Sequence, residues 1–387
     1  MVELRGITWD HPRGLAPMRA TAAAYAHDHP DVRITWDARS LHDFGARPLD
    51  QMVHDYDLLV IDHPFVGTAA GGGYLAPLDE YLPAAFLSAQ GAQSVGASHR
   101  SYAYADHQWA LAIDAAAQVG AYRPDLLTAI GVTVPRTWDD VFALARRRAG
   151  PRVALPLTPV NAISSFLTLC ANHGEPAGQE ATHVVSRAMG RTALDMLRRL
   201  VALAHPASLD LDPPAMLDRM AETDEIAYCP LLFGYSNYAR PGAYAHLCRF
   251  TNIPAVTDGG KPCGALLGGA GLAVSASCHA MSQACAYAQW VVSPDCQRTL
   301  YVEAGGQPGN RVAWTDPAVN AATSNFFLDT LDTLDVAYLR PRYDGFAAFQ
   351  DAAGVILRDY LRDGGDAQGV LDRIDARYVE SKPQTSD

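Results

Sequence analysis

Two Asp-His-Pro triplets, at residues 10–12 and 62–64, carry the side chains best suited to chemistry. Each follows a strand-like run, 4–9 in one case and 57–61 in the other. Proline ends each strand, because it has no N–H for the ladder and pushes the preceding residue to extended geometry. Loops that leave the carboxyl ends of parallel strands meet in one crevice, where ligands bind. The triplets are therefore predicted to reach one cleft; the alternative is structural, with each Asp capping a helix.

The Asp-His pairs suit two kinds of chemistry. In a binding site they offer fixed hydrogen bonds to a polar ligand, with Trp9 packing on its apolar face. In an enzyme, His11 or His63 would act as a general base, and Asp10 or Asp62 would orient its imidazole. Divalent metals accept these ligand types as well, but the spacing matches no metal signature, so we predict no metal site.

More candidate ligand contacts stand beside these pairs or end another strand. Arg13, near a helix start, would make bidentate hydrogen bonds to a carboxylate or phosphate. Phe65, which follows the second pair, is another candidate contact. Asp114 ends the apolar run 109–114. Because a buried unpaired carboxylate is costly, Asp114 needs a partner, either the ligand or an arginine. The alternative for Trp9 is a position in the core.

The second half of the chain adds an aromatic and amide loop and a glycine pair. Tyr235, Asn237 and Tyr238 form a candidate recognition loop, and the alternative is that they pack a domain edge. Gly268 and Gly269 are candidate ligand contacts, because glycine lets the backbone approach closely, and the alternative is a plain hinge.

Other polar residues stay outside the predicted site. Asn161 and Ser164 stand near a helix start, where they would cap the helix or offer donors to the cleft. Arg340 and Arg342 are expected at the surface, and the alternative is that they reach the cleft from the C-terminal region. Cys229 is expected to be a buried, inert thiol, because a reactive thiol needs a nearby base or positive charge.

Composition indicates a globular protein of more than one domain. The 387 residues exceed what one compact core holds, and the chain is 49% hydrophobic and 19% charged. A net charge of −12 argues against nucleic acid, whose phosphates would repel it. No apolar run reaches the length of a membrane span, so we expect no membrane insertion.

The N-terminus and the cysteines favour a reducing compartment. Residues 1–5 lead straight into the first strand, without the basic and apolar regions of a signal peptide. The seven cysteines are an odd set without Cys-x-x-Cys spacing. We expect a cytoplasmic location for the sequence as written, or a periplasmic one if the N-terminus was trimmed.

Strand and helix patterns alternate along the first part of the chain. Strand-like runs occur at 4–9, 32–36 and 57–61, with a helix at 15–29 between the first two. This alternation predicts a parallel sheet with right-handed crossovers. Residues 326–378 have a largely helical pattern.

Several segments, taken in order, resemble the family 1 extracellular solute-binding proteins of ABC importers. These segments are the strand 57–62 with the turn 75–79, the crossing 109–127, the Pro-x-Thr-Trp-Asp-Asp helix start at 135–140, the glycine-rich strand 268–274 and the turn 306–308. The resemblance implies the type II periplasmic-binding-protein fold, an α/β fold of two lobes joined by a hinge. A small polar solute, often a sugar, would bind in the interlobe cleft, and the lobes would close over it.

The same resemblance implies lobe 1 at 1–112 and 265–320, lobe 2 at 113–264 and a C-terminal helical region at 321–387 that packs on the lobes. The leading hypothesis is binding of a sugar or carboxylate, with an ABC permease as partner if the protein is exported. No cofactor is expected, because the glycines near 268 do not follow a Gly-x-Gly-x-x-Gly pattern. The alternative is a cytoplasmic enzyme on this scaffold, using the Asp-His pairs for proton transfer of lyase, dehydratase or isomerase type.

Overall fold

The structure is a computed structural model that describes residues 1–46, 49–147 and 149–383. The strands are β1 (Val2–Trp9), β2 (Val32–Arg39), β3 (Leu58–Ile61), β4 (Ala103–Tyr104), β5 (His107–Gln108), β6 (Leu111–Tyr122), β7 (Arg152–Val153), β8 (Ile226–Phe233), β9 (Arg249–Thr251) and β10 (Leu267–Val274). The three runs predicted first correspond to β1, β2 and β3.

One mixed sheet dominates the fold, with the strand order β2-β1-β3-β10-β6-β8-β7 and β9 paired with β6. β1 is parallel to both β2 and β3, which confirms the predicted parallel arrangement of the first strands. β10 runs antiparallel to both β3 and β6, and β6 runs antiparallel to β8. The sheet is therefore parallel near the N-terminus and antiparallel through its centre.

Helices cover both faces of the sheet and form the C-terminal region. They are α1 (Pro12–Asp28), α2 (Leu41–Ala46), α3 (Val66–Gly72), α4 (Ala84–Ala92), α5 (Ser98–Ser101), α6 (Pro124–Ala129), α7 (Trp138–Ala145), α8 (Pro159–Asn172), α9 (Arg187–Leu203), α10 (Pro213–Glu222), α11 (Met281–Val291), α12 (Pro294–Cys296), α13 (Arg311–Thr315), α14 (Pro317–Ala322), α15 (Phe326–Asp335), α16 (Phe346–Asp363) and α17 (Ala367–Glu380). Within the described ranges, no helix is long and apolar enough to cross a membrane.

Polar caps fix where several of these helices begin. The His11 side chain caps α1 by accepting a hydrogen bond from the Arg13 backbone N–H. Thr137 and Asp140 form a reciprocal capping box at α7, in the segment whose sequence marked a helix start. Asp212 caps α10. The starts of α1 and α10 are among the segments that reach the cavity described below.

The hydrophobic core falls into clusters that meet along β6 and β10. One cluster contains Ile113 of β6 and Ala270 of β10, together with side chains from β1, β2 and β3. The larger cluster contains Ala115 of β6 and Leu267 of β10, together with side chains from β8 and α8. Each of these strands therefore passes from one core to the other, while the domain boundaries given above stay a prediction.

The C-terminal helices pack into the larger core, and the segment before α16 reaches residues 101–103. α16 and α17 bury side chains such as Leu357 and Tyr378 in the larger cluster. Between α15 and α16, Arg342 donates hydrogen bonds to the backbone oxygens of Ser101 and Ala103, 2.9 and 2.5 Å away. This excursion carries the neighbouring Arg340 to the end of β3.

Candidate functional site

A cavity of about 350 Å³ lies where the strands of the two cores meet. Its wall draws on the ends of β1, β3 and β8, on β6 and β10, and on the first turns of α1, α8 and α10. Trp9 and Arg13 reach it from the turn after β1, and Asp62 reaches it from the turn after β3. The two turns that carry the Asp-His-Pro triplets therefore converge on one cavity.

Arg13 and Asp114 form the first of two ion pairs in the wall. Arg13 Nε donates to Asp114 Oδ2 at 2.8 Å, and Arg13 Nη2 donates to Asp114 Oδ1. Arg13 Nη1 donates to the Gly234 carbonyl at 2.8 Å, and its guanidinium lies 4.6 Å from the Tyr235 ring centre. Burial raises the pKa of Asp114, and the bidentate Arg13 opposes that rise. The partner that Asp114 required is thus an arginine.

Arg340 and Asp62 form the second ion pair. Arg340 Nη2 donates to both Asp62 oxygens, at 3.1 and 2.9 Å, and Arg340 Nη1 donates to Gln350 Oε1 at 3.0 Å. Burial would raise the pKa of Asp62, but the charge of Arg340 and contacts with His63 hold that pKa at about 2. Asp62 is therefore an ionised acceptor at the cavity wall.

The expectation that Arg340 and Arg342 lie at the surface is corrected for Arg340. Its side chain is only 4% exposed and lines the cavity. The cause is the excursion between α15 and α16, which places Arg340 against a strand end far away in sequence. Arg342 is partly buried and anchors that excursion to backbone oxygens.

The structure does not bring His63 to the cavity as a ligand contact or base. Its ring is fully buried, and Nε2 accepts a hydrogen bond from Arg340 Nε at 3.1 Å. Burial and the charge of Arg340 lower the pKa of His63 to about 4. A neutral ring whose lone pair already accepts from an arginine cannot serve as a general base, which corrects the catalytic role proposed for His63.

The other members of the two turns also lie outside the cavity wall. His11 Nδ1 accepts from the Arg13 backbone, its ring packs edge-on against Tyr235, and burial together with Arg13 lowers its pKa to about 4. Asp10 is exposed to solvent, and Phe65 belongs to a buried hydrophobic cluster. The structure thus places His11 at a helix cap, Asp10 in solvent and Phe65 in the core, and their ligand contacts stay a prediction.

Trp9 and Tyr235 supply aromatic faces to the wall. The Trp9 ring lies against Gly14, where a Cβ would come within 2.4 Å of it, and its centre is 4.9 Å from that of Phe44. Trp9 Nε1 is buried without a hydrogen-bond partner among the described residues. Burial raises the pKa of Tyr235 to about 12, so its hydroxyl stays protonated.

Asn237 and Tyr238, predicted to share the recognition loop with Tyr235, point to other partners. Asn237 Nδ2 donates to the Gly305 carbonyl at 3.2 Å, and the Tyr238 hydroxyl donates to Asp218 at 2.6 Å. Neither lines the cavity. The short 3-10 turn Ser236–Ala239 separates them from Tyr235, and their predicted ligand contacts stay a prediction.

Gly268 and Gly269 line the cavity and allow close packing of β10. Gly269 has a φ of +111°, and a Cβ there would lie 2.4 Å from the Asp114 carbonyl oxygen. A Cβ at Gly268 would lie 2.8 Å from the Phe233 ring. Gly269 therefore allows close approach to β6, and Gly268 leaves room for the Phe233 ring at the end of β8.

Comparison with known proteins supports the resemblance drawn from sequence. A family model described as bacterial extracellular solute-binding protein matches residues 8–155. The resemblance to solute-binding proteins is confirmed. A sequence comparison with curated proteins gives no match.

Solved structures of solute-binding proteins share the fold over nearly the whole chain. A ribitol complex from Agrobacterium radiobacter has a TM-score of 0.82 at 20% identity and covers 98% of each chain. Maltose-bound MalE3 of T. maritima has a TM-score of 0.83 at 17% identity and covers 98% of this chain and 99% of its own. A mannitol complex from Agrobacterium vitis has a TM-score of 0.77 at 15% identity and covers 98% of each chain. This likeness establishes the two-lobed fold.

On this solute-binding-protein fold, several wall residues come from positions that sequence reasoning left out or weighed only weakly. These are Leu41, Phe44, Thr158, Val160, Asn161, Ser164, Asp212, Pro213 and Phe233. Asn161 donates to Thr158 and Ser164 donates to the Val160 carbonyl, so both serve their helix while lining the cavity. The sequence signal that could have identified some of these residues is the proline that begins α8 and α10, Pro159 and Pro213, because the first turns of both helices lie in the wall.

One cysteine and one acidic cluster outside the cavity were further candidates for chemistry. Cys229 is fully buried, and burial raises the pKa of its thiol well above the ordinary value, as expected for an inert thiol. Among the described residues, Asp125, Asp224 and His246 stand close enough together to hold a metal ion. Both carboxylates already accept from Arg123, whose charge opposes a cation.

Proposed function

We propose that this protein binds a neutral polyhydroxyl solute, a small sugar or sugar alcohol, in the cavity between its two cores. The observation that carries the proposal is that each arginine in the wall is paired with a carboxylate. Arg13 and Arg340 each face a carboxylate, and Asp212 adds another carboxyl group to the wall. Among the described lining residues, no cation is left without an acidic partner, so the wall disfavours a carboxylate or phosphate ligand.

Size and surface chemistry support the same class of ligand. A volume near 350 Å³ is at the lower end of the roughly 300–1,000 Å³ typical of small-molecule sites. Trp9, Phe44 and Phe233 offer ring faces for sugar C–H groups, while Asp62 and Asn161 offer polar groups to hydroxyls. The ribitol and mannitol complexes on this fold hold solutes of this class.

The proposed mechanism is reversible binding with closure of the lobes about β6 and β10, the mode of periplasmic binding proteins. As the receptor of an ABC importer, the protein would be exported and would deliver the solute to a permease. The geometry does not support the enzyme alternative, because the two histidines considered as general bases, His11 and His63, are not among the lining residues.

Isothermal titration calorimetry tests the proposal. The purified protein is titrated with ribitol, D-mannitol and maltose, and with succinate and phosphate as anionic comparators. We expect saturable one-to-one binding of a neutral solute, no heat from the anions, and recovery of the solute unchanged after long incubation. Binding confined to an anion, or consumption of the solute, would overturn the proposal.

A further inference from the structure

A fully buried histidine stands behind the ion pair that faces the cavity. Asp62 and Arg340 line the wall, while His63, the next residue along the chain, is 0% exposed. His63 touches both partners: Nε2 accepts from Arg340 Nε at 3.1 Å, and Nδ1 lies 3.1 Å from Asp62 Oδ1.

These contacts fix the plane of the Arg340 guanidinium. Nε donates to His63, Nη1 donates to Gln350, and Nη2 donates to Asp62, so each nitrogen has its own acceptor. The guanidinium is planar and its donors form a rigid fork. Any rotation of the group therefore breaks several hydrogen bonds at once, and loss of the His63 acceptor would release one side of the fork.

We infer that His63 is a positioning residue for ligand binding, which holds Arg340 and, through it, the Asp62 carboxylate in the orientation that the solute meets. The inference rests on the proposed function, because it assigns how one part of the wall is kept ready for the ligand. It differs from the catalytic role considered from sequence, since His63 acts here as a hydrogen-bond acceptor for a neighbouring side chain.

The role requires a neutral ring with its proton on Nδ1, because Nε2 accepts from an N–H group. The charged groups around the ring are Arg340, Arg342 and Asp62, and the Tyr102 ring lies edge-on at 6.3 Å. Burial and the two arginine charges lower the pKa of His63 to about 4, so the acceptor is present at neutral pH. Protonation would set an N–H against the Arg340 N–H and break the contact.

A pair of amide variants separates positioning from space filling. In His63→Gln the side-chain oxygen reaches the place of Nε2 and can accept from Arg340, whereas in His63→Asn the shorter amide reaches only the place of Nδ1. Using the tightest binder among ribitol, D-mannitol and maltose, we expect His63→Asn to weaken affinity about ten-fold or more, the scale of one hydrogen bond to a charged group. His63→Gln should stay within about three-fold of wild type, since it keeps that bond.

Two controls sharpen the result. Tyr102→Phe alters a buried side chain beside His63 without touching Arg340, and its affinity should equal that of wild type. In an Arg340→Met background, His63→Asn should have no further effect, because coupled residues are not additive. Equal affinity of both amide variants, or an undiminished effect of His63→Asn in the Arg340→Met background, overturns the inference.

Nitrogen-15 NMR of the wild-type protein provides a readout that needs neither ligand nor variant. We expect His63 as the Nδ1–H tautomer, with a slowly exchanging Arg340 Nε–H. A proton on Nε2 overturns the inference even if neither amide variant folds. If wild type binds none of the three solutes, the proposed function fails, while the NMR result still decides the position of His63.

Discussion

The two buried arginine–aspartate pairs in the cavity wall differ in what each carboxylate can still do. In the Arg13–Asp114 pair the side chains are 5% and 0% exposed. In the Arg340–Asp62 pair the arginine is 4% exposed, but the aspartate is 21% exposed. Both pairs line the cavity, but the Asp114 carboxylate is fully buried, whereas the Asp62 carboxylate is partly exposed.

The partners of each arginine explain this difference. Arg13 divides its hydrogen bonds between Asp114 on β6 and the Gly234 carbonyl after β8, so it ties α1 to the other core. Arg340 is held from behind by His63 and Gln350, which leaves Asp62 as the member that faces the cavity. The first pair is a structural brace, and the second is the candidate ligand contact.

The largest expected effect comes from breaking the brace. Asp114→Asn leaves the buried Arg13 without a countercharge and should lower the free energy of unfolding by about 3–5 kcal/mol. Urea denaturation followed by circular dichroism measures it. The double variant Arg13→Met with Asp114→Leu replaces the pair by apolar groups and should recover most of the loss. A loss below about 1 kcal/mol in Asp114→Asn would show that the pair is no brace.

Acid should act on the second pair through its histidine. The pKa of His63 is about 4 in the folded protein against 6.5 in its ordinary range, so the folded state binds fewer protons between those values. Stability should therefore fall as the pH drops from about 6.5 to 4, by about 3 kcal/mol from His63, and His11 acts in the same direction. Urea denaturation at pH 7, 5.5 and 4.5 measures the slope.

The matched variant for this titration is His63→Gln, which cannot be protonated. We expect its stability to depend less on pH than that of wild type, because the folded protein then has one shifted histidine fewer. Identical slopes in wild type and His63→Gln would mean that His63 takes up its proton as readily in the folded protein as in the unfolded one.

Asp62→Asn should weaken ligand binding as well as lower stability, because it also leaves the buried Arg340 without its countercharge. The change removes an ionised acceptor from the cavity wall, and we expect affinity for the bound polyol or sugar to fall at least about ten-fold by calorimetry. Asp212→Asn is the matched control: it removes the same charge from the same wall but keeps a side chain that caps α10 well. Similar small losses of affinity in Asp62→Asn and Asp212→Asn would contradict a special role for Asp62.

The sequence predicted the elements of the fold because their signals are local. Periodicity located β1, β2, β3 and the C-terminal helices, and Thr137 with Asp140 marked a helix start that the structure has. The parallel strands β1 and β3 also led to the prediction that both Asp-His pairs reach one cleft, but of these four residues only Asp62 lines the cavity.

The partners of the site residues were harder to predict, because long-range contacts set them. His63 was taken as a ligand contact, yet Arg340 lies 277 residues away and occupies its acceptor nitrogen. Arg340 itself was expected at the surface, since nothing in the local pattern shows that its segment returns to β3. Asn237 and Tyr238 share a loop with Tyr235, but a single 3-10 turn sends them to different neighbours.

The smallest expected effect concerns Tyr235, an aromatic side chain beside the Arg13–Asp114 pair. Its ring packs against the Arg13 guanidinium and lines the cavity, so Tyr235→Phe keeps the packing and removes only the hydroxyl. We expect unchanged unfolding and an affinity about five-fold weaker, the scale of one neutral hydrogen bond. His11→Asn, which alters a ring against Tyr235 outside the wall, should leave affinity unchanged. If Tyr235→Phe weakens binding as strongly as Asp62→Asn, the brace contacts the ligand too, and the division between the two pairs is wrong.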